Sequence, residues 1–200
     1  NAALELQGVD VVVPDGTETL RILGGVDLRV EAGEVVKLTG ASGSGKSTLA
    51  PLLASRLGGH VVADLDRVVE GRFGRSVASI FERDGEAVFR DAESEALSEA
   101  LDGPPAVIAT GGGIVLSAGN RRMLSTSARV VWLRAHPAHL QQRLEGTTEA
   151  RPLLQGDPAF ALARLDDERA ALYAQVADLT VDVDGASPAD LAEEIARTLR

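Results

Sequence analysis

Two hundred residues, 44% hydrophobic and 25% charged, suffice for one substantial core in an ordinary globular chain. The net charge of −10 and isoelectric point near 4.8 exclude a broad nucleic-acid face, which needs clustered cations to release counterions. The absence of cysteine excludes disulfides, thiolate nucleophiles and cysteine-ligated zinc together. Lys37 and Lys46 are the only lysines, so arginine carries the remaining positive charge and is available for small anions. His60, His136 and His139 show no metal-ligand spacing and are read as structural or exposed. No apolar run approaches the ~20 residues of a membrane span, and no basic-apolar leader opens the chain. A cytoplasmic monomer is expected, with a small molecule as its partner and neither nucleic acid nor membrane.

In chain order, residues 1–34 read LELQGVDVVV, a PDG turn, TLRILGGVDLRV and an EAGE turn, which predicts an N-terminal antiparallel β extension. Residues 35–200 form the second predicted unit. There EVVKLTG is a strand followed by the helical STLAPLLASRL, and HVVADL a strand followed by a polar helical stretch to Leu101. AVIAT and RVVWL are strands each followed by helix, and DLTVDV precedes ADLAEEIARTLR. This alternation predicts a parallel sheet with helices on both faces and ligands at the carboxyl ends of its strands. Ser187 is placed to cap the last helix, with Pro188 at its first position and Leu191, Ile195 and Leu199 on one stripe. Residues 144–158, rich in Gly, Thr and Pro, read as a long surface loop of the kind that carries function. Two residues conflict with the pattern. Lys37 falls in the central strand, where its charge must snorkel out or meet an acid, and Pro51 falls inside a helix, where it should kink it or cost up to ~3 kcal/mol.

The stretch GASGSGKST, Gly40 to Thr48, fits GxxxxGKS between a strand and a helix, the context in which such a loop cradles phosphates. Glycines at 40, 43 and 45 let backbone N–H groups turn inward, and the helix start adds its dipole. Gly43, Ser44, Gly45, Lys46, Ser47 and Thr48 are the predicted nucleotide-binding residues. Lys46 should reach the β- and γ-phosphates of ATP, and the Ser47 hydroxyl should ligate Mg²⁺. The bland alternative is a glycine-rich turn with a chance lysine.

Beyond the loop, DLD (64–66), GRSVASIFERDGEAVFRDAE (74–93), TGGGIV (110–115), RPLL (151–154) and ERAALY followed by VADLTVDV (168–183) together resemble shikimate kinase. The resemblance runs from about Lys37 to Arg200. It implies a P-loop NTPase of α/β class, a nucleoside-monophosphate-kinase-like three-layer sandwich on a five-stranded parallel sheet. It implies too that ATP with Mg²⁺ phosphorylates the 3-hydroxyl of shikimate. By the same resemblance, Asp64 acts near Mg²⁺ and Asp66 holds the acceptor hydroxyl in a base-like role. Arg90 and Arg169 then bind the carboxylate, Gly111, Gly112 and Gly113 line the acceptor pocket, and Arg151 reaches the phosphates from a lid. The chemistry is compatible, since phosphoryl transfer mostly demands positioning and charge neutralisation, and a carboxylate is best held by guanidinium groups. Each residue also has a plainer reading: the acids as helix caps, the arginines as solvated helix face, the glycines as a flexible turn. Ala171 stands where the family usually has proline. GASGSGKS also resembles gluconate-type sugar-acid kinases, the nearest alternative.

Residues 3 to about 50 resemble the start of an ABC-transporter ATPase, which implies a chain recombined at the phosphate loop, a chimera. That resemblance stops there. No LSGGQ-like signature follows, and the aromatic expected near Val11 to Val13 to stack on adenine is missing. A nucleotide-binding chimera without acceptor kinase activity is the alternative from a different class.

Overall fold

The computed structural model describes residues 2–15, 18–31, 35–127, 129–136, 138–140 and 158–199, with side chains from residue 35 onward except at 127, 158–163, 166 and 167. Strands β1 (Ala2–Asp15) and β2 (Glu18–Glu31) pair antiparallel as a separate two-stranded sheet. The five short strands β3 (Val36–Thr39), β4 (Val61–Asp64), β5 (Ala106–Ala109), β6 (Arg129–Arg134) and β7 (Leu179–Asp182) form a parallel sheet in the order β4-β5-β3-β6-β7. The order reverses at β3, the strand that feeds the phosphate loop. This is where an open α/β sheet leaves a crevice at its carboxyl ends.

Every residue of β3 and β5 is buried, as expected for strands covered on both faces. On one face α1 (Lys46–Arg56) and the last helix, Pro188–Leu199, pack over Val36, Leu38 and Val181. The other face is covered by α2 (Leu65–Phe73), α3 (Val77–Asp84), α4 (Glu86–Leu101) and α5 (Ala118–Ser127), with α6 (Pro158–Val176) contributing Tyr173 and Val176. The predicted single helical stretch to Leu101 is therefore three helices. Gly74, at φ +63°, ends α2, Ser76 caps α3 by accepting from the Ser79 amide, and Gly85, at φ +87°, separates α3 from α4. In the last helix, α7 (Pro188–Leu199), Ser187 Oγ accepts from the Asp190 amide at 3.2 Å, and Leu191, Ile195 and Leu199 are buried.

The two conflicts resolve differently. Helix α1 runs unbroken through Pro51, whose ring is exposed, so the bond it cannot donate is lost at a solvated surface. Lys37 neither snorkels nor meets an acid directly. It is fully buried, and its Nζ donates to the carbonyls of Met123 and Leu124, both at 3.1 Å, near the negative end of α5. Burial pushes its pKa down to about 8, against a smaller upward pull from Asp178.

An unfolded lysine titrates near 10.5, so between pH 8 and 10.5 the unfolded chain binds the proton that the folded chain has lost. Stability must then rise with pH across that window, by up to about 3 kcal/mol from this group. Denaturant unfolding at several pH values, compared with Lys37→Met, is expected to show this rise in the parent alone. Parallel profiles would refute it.

Candidate active site

The phosphate loop leaves β3 at Gly40, whose φ of +140° and close approach to β6 both require glycine: a methyl group there would overlap the Leu133 carbonyl oxygen. Gly43 and Gly45 also turn at positive φ, and Gly45 is the N-cap of α1 with no side-chain hydrogen bond, so the positive helix end faces the loop. Ser44 is buried and its amide donates to Ala41 at 3.2 Å, while the Thr48 amide donates to Gly45 at 3.2 Å. Lys46 curls over the loop, donating to the carbonyls of Gly40 at 2.9 Å and Ala41 at 2.8 Å. Its ammonium therefore already sits at the rim of the cradle.

Ser47 Oγ donates to Asp64 Oδ2 at 2.6 Å. Asp64 is also the N-cap of α2, accepting from the Arg67 amide at 3.4 Å through its other oxygen. Capping and a site role are therefore both open to this one carboxylate. A hydroxyl and a carboxylate in contact are hard-oxygen ligands of the kind Mg²⁺ takes. The described residues contain no cluster of three or more His, Cys, Asp or Glu that could hold a metal.

The three consecutive glycines after β5 each lie against a different functional group. Thr110 anchors the segment, its amide and its hydroxyl both donating to Leu38 of β3. A methyl on Gly111 would overlap Glu93 Oε1 and reach 3.0 Å from Asp66 Oδ1. One on Gly112 would lie 3.4 Å from the Gly40 oxygen and 3.5 Å from the Ser42 amide, at the phosphate loop itself. On Gly113 it would overlap the Arg90 guanidinium. From α6, Arg169 Nη1 donates to the Gly112 carbonyl at 3.2 Å. Asp66, Arg90 and Arg169, far apart in sequence, are thus gathered around one short backbone segment beside the phosphate loop.

Arg90 is held from three directions. Its Nη1 donates to Glu93 at 2.8 Å, its Nε and Nη2 donate to Glu86 at 3.2 and 3.1 Å, and its guanidinium lies over the rings of Phe89 and Phe81, 5.3 and 5.7 Å from their centroids. Burial works against its charge, but the two carboxylates outweigh this and raise its pKa. Asp66 is raised chiefly by burial and then by Asp64 and Glu70, with Lys46 and Arg90 opposing. Glu93 is fully buried and also raised by burial, with Arg90 the main opposing influence; its Oε1 has no hydrogen-bond partner among the described residues and rests on Gly111.

Sequence reasoning missed Glu93 and Tyr173, although both lie inside quoted motifs. The i, i+3 spacing of Arg90 and Glu93 on a helix was the available signal for the first. Arg151 lies outside the described residues, as does most of the predicted loop. His136 and His139 are exposed, and His139 faces Asp184 at 2.8 Å.

The family profile for shikimate kinase matches residues 42–200. The chain belongs to the shikimate kinase family. A shikimate kinase from Gloeobacter violaceus is 48% identical over 163 residues, covering 81% of this chain and 90% of the relative. One from a Synechococcus strain is 41% identical over 189 residues, covering 94% of this chain and 90% of its own length. Among solved structures, a shikimate kinase from Acinetobacter baumannii in complex with shikimate superposes with a TM-score of 0.79 at 34% identity, covering 84% of this chain and 93% of that one. The Synechococcus alignment leaves about 6% of this chain outside it, so it extends into β1. A break at the phosphate loop, as a chimera with a transport ATPase would have, finds no support in these relatives.

Gly40→Ala should be the most damaging single methyl in the cradle, because a β-carbon meets backbone that cannot swing aside and the φ is unfavourable. A loss of about 1–3 kcal/mol and a weakened grip on nucleotide are expected. Thermal melting and titration with a fluorescent ADP analogue read both; normal values would show that the loop yields more easily than its geometry indicates.

Proposed function

We propose that this chain transfers the γ-phosphoryl group of ATP, with Mg²⁺, to the 3-hydroxyl of shikimate, giving shikimate 3-phosphate and ADP, a step of aromatic amino acid biosynthesis. The observation that carries this reading is the gathering of one carboxylate and two guanidinium groups around Gly111 to Gly113, beside the phosphate loop, in a member of this family.

The chain's own residues divide the work by chemistry. Lys46 exchanges the carbonyls of Gly40 and Ala41 for phosphate oxygens, and the loop amides with the α1 dipole hold the donor. Ser47 and Asp64, already in contact, would hold the metal. Mg²⁺, when bound, neutralises charge on the phosphate oxygens. Arg90 and Arg169 clamp the acceptor carboxylate, which fixes the ring so that its 3-hydroxyl faces the terminal phosphorus. Asp66 accepts the hydrogen bond of that hydroxyl and takes its proton as the new O–P bond forms and the bond to the bridging oxygen of ADP breaks. Its raised pKa makes it a better proton acceptor than an ordinary aspartate while it is ionised. Arg151, which lies outside the described residues, would neutralise charge on the phosphates.

Residues 1–34 form an accessory hairpin to a catalytic unit of residues 35–200. The aligned Synechococcus relative favours a native segment over a graft from an ABC ATPase. The protein works as a cytoplasmic monomer independent of nucleic acid and membrane, in keeping with its acidity; no helix among the described residues is long and apolar enough to cross a membrane.

ADP release is expected with shikimate and absent with gluconate; turnover with gluconate alone would reject the proposal. Binding without turnover would leave a nucleotide holder, and Trp132, the only tryptophan and stacked 5.6 Å from Tyr173, reports acceptor binding by fluorescence. Arg90→Ala should raise the shikimate KM by about 10- to 100-fold, whereas Lys46→Ala should impair donor use with any acceptor. Equal losses in both variants would point to unfolding instead.

Because the pKa of Asp66 is raised, its carboxylate protonates at a higher pH than an ordinary aspartate, and activity should fall from that higher pH as acid is added. Asp66→Asn is expected to abolish the limb along with most of kcat. A limb that survives the substitution would assign it elsewhere.

A further inference from the structure

Gly112 is gripped from α6 by two side chains one helical turn apart. Tyr173 is fully buried and its hydroxyl donates to the Gly112 carbonyl at 2.5 Å; Arg169 Nη1 donates to the same oxygen at 3.2 Å. Nε of Arg169 is buried with no hydrogen-bond partner among the described residues. A β-carbon on Gly112 would lie against the phosphate loop at Gly40 and Ser42. One glycine therefore joins the acceptor arginine and the tyrosine, through its carbonyl, to the donor loop.

We propose that Tyr173 is a positioning residue for the acceptor: its hydroxyl keeps the Gly112 carbonyl satisfied, so that Arg169 can turn its guanidinium to the substrate carboxylate. This rests on the shikimate reading above. A carbonyl oxygen has two lone pairs and accepts both donors at once in the free protein. A carboxylate is gripped best by two parallel N–H groups of one guanidinium, and a fork made through Nη1 competes with the bond Arg169 gives to Gly112. Without the tyrosine hydroxyl, each substrate binding event would strip Gly112 of its remaining partner and leave a buried acceptor unpaired. With it, Arg169 moves and the glycine wall stays. Tyr173 touches no reacting atom in this scheme; it acts through Gly112 and Arg169.

Tyr173→Phe keeps the ring stacked on Trp132 and removes only the hydroxyl. The shikimate KM is expected to rise roughly tenfold, the size of one buried hydrogen bond, with the ATP KM within about twofold of the parent. In an Arg169→Ala background the same substitution should change kcat/KM for shikimate by less than about twofold, because the bond it protects is already gone. 4-Aminophenylalanine at position 173, which again offers a donor, should restore the KM. A merely structural tyrosine would lower the melting temperature and raise both KM values together, with equal losses in the two backgrounds; that pattern, or an unchanged KM, overturns the inference. If Tyr173→Phe does not fold, the aminophenylalanine protein decides alone, by parent-like or raised shikimate KM. Failure of the parent itself to phosphorylate shikimate would instead remove the functional reading, and this inference with it.

Discussion

The structure turns on a close approach of backbone to backbone at Gly112. A parallel sheet places the carboxyl ends of β3 and β5 side by side, so the phosphate loop and the glycine segment must leave the sheet in contact. Side chains at 111 to 113 would fill the space in which Asp66, Arg90 and the loop meet. At Gly111 and Gly113 a β-carbon would overlap Glu93 and Arg90, at Gly112 it would meet the loop at ordinary contact distance, and none of the three has positive φ; at Gly40 both the contact and the φ call for glycine. The distance between donor and acceptor is thereby set by main chain, which deforms less easily than long side chains.

Charge around that contact is arranged in opposed pairs. Arg90 lies between Glu86 and Glu93, and Arg169 bonds a carbonyl on the rim of the same space. Leaving Glu93 without Arg90 would strand a buried carboxylate, a costly state, so the pair is better understood as orienting the guanidinium than as adding stability. The stacking of Arg90 on Phe81 and Phe89 restricts its plane further. A preorganised cation of this kind loses little freedom when an anion arrives.

Lys37 shows the same economy in a region without catalytic duty. A charge in the central strand would ordinarily be paired with an acid, but here it is spent on the carbonyls that a helix leaves unsatisfied at its end. The result ties β3, and with it the root of the phosphate loop, to α5, which follows the glycine segment. Both walls of the crevice are thus braced against one buried ammonium.

The sequence by itself determined the order of strands and helices, the phosphate loop and the family, because each rests on local spacing: apolar runs of strand length, glycines at fixed intervals, a lysine and hydroxyl at a helix start. It also marked Ser187 as a cap and Leu191, Ile195 and Leu199 as a buried stripe, since capping and periodicity are read within a few residues. The glycines and the serine cap that divide the stretch to Leu101 into three helices are equally local signals; only the tertiary structure decided that Lys37 answers to carbonyls and that Glu93 and Tyr173 belong beside the site. Those contacts join residues up to 87 positions apart, as Lys37 and Leu124 are. Partners so distant are chosen by the packing of whole helices on the sheet, and no local pattern in a single chain encodes which of many buried polar groups will meet.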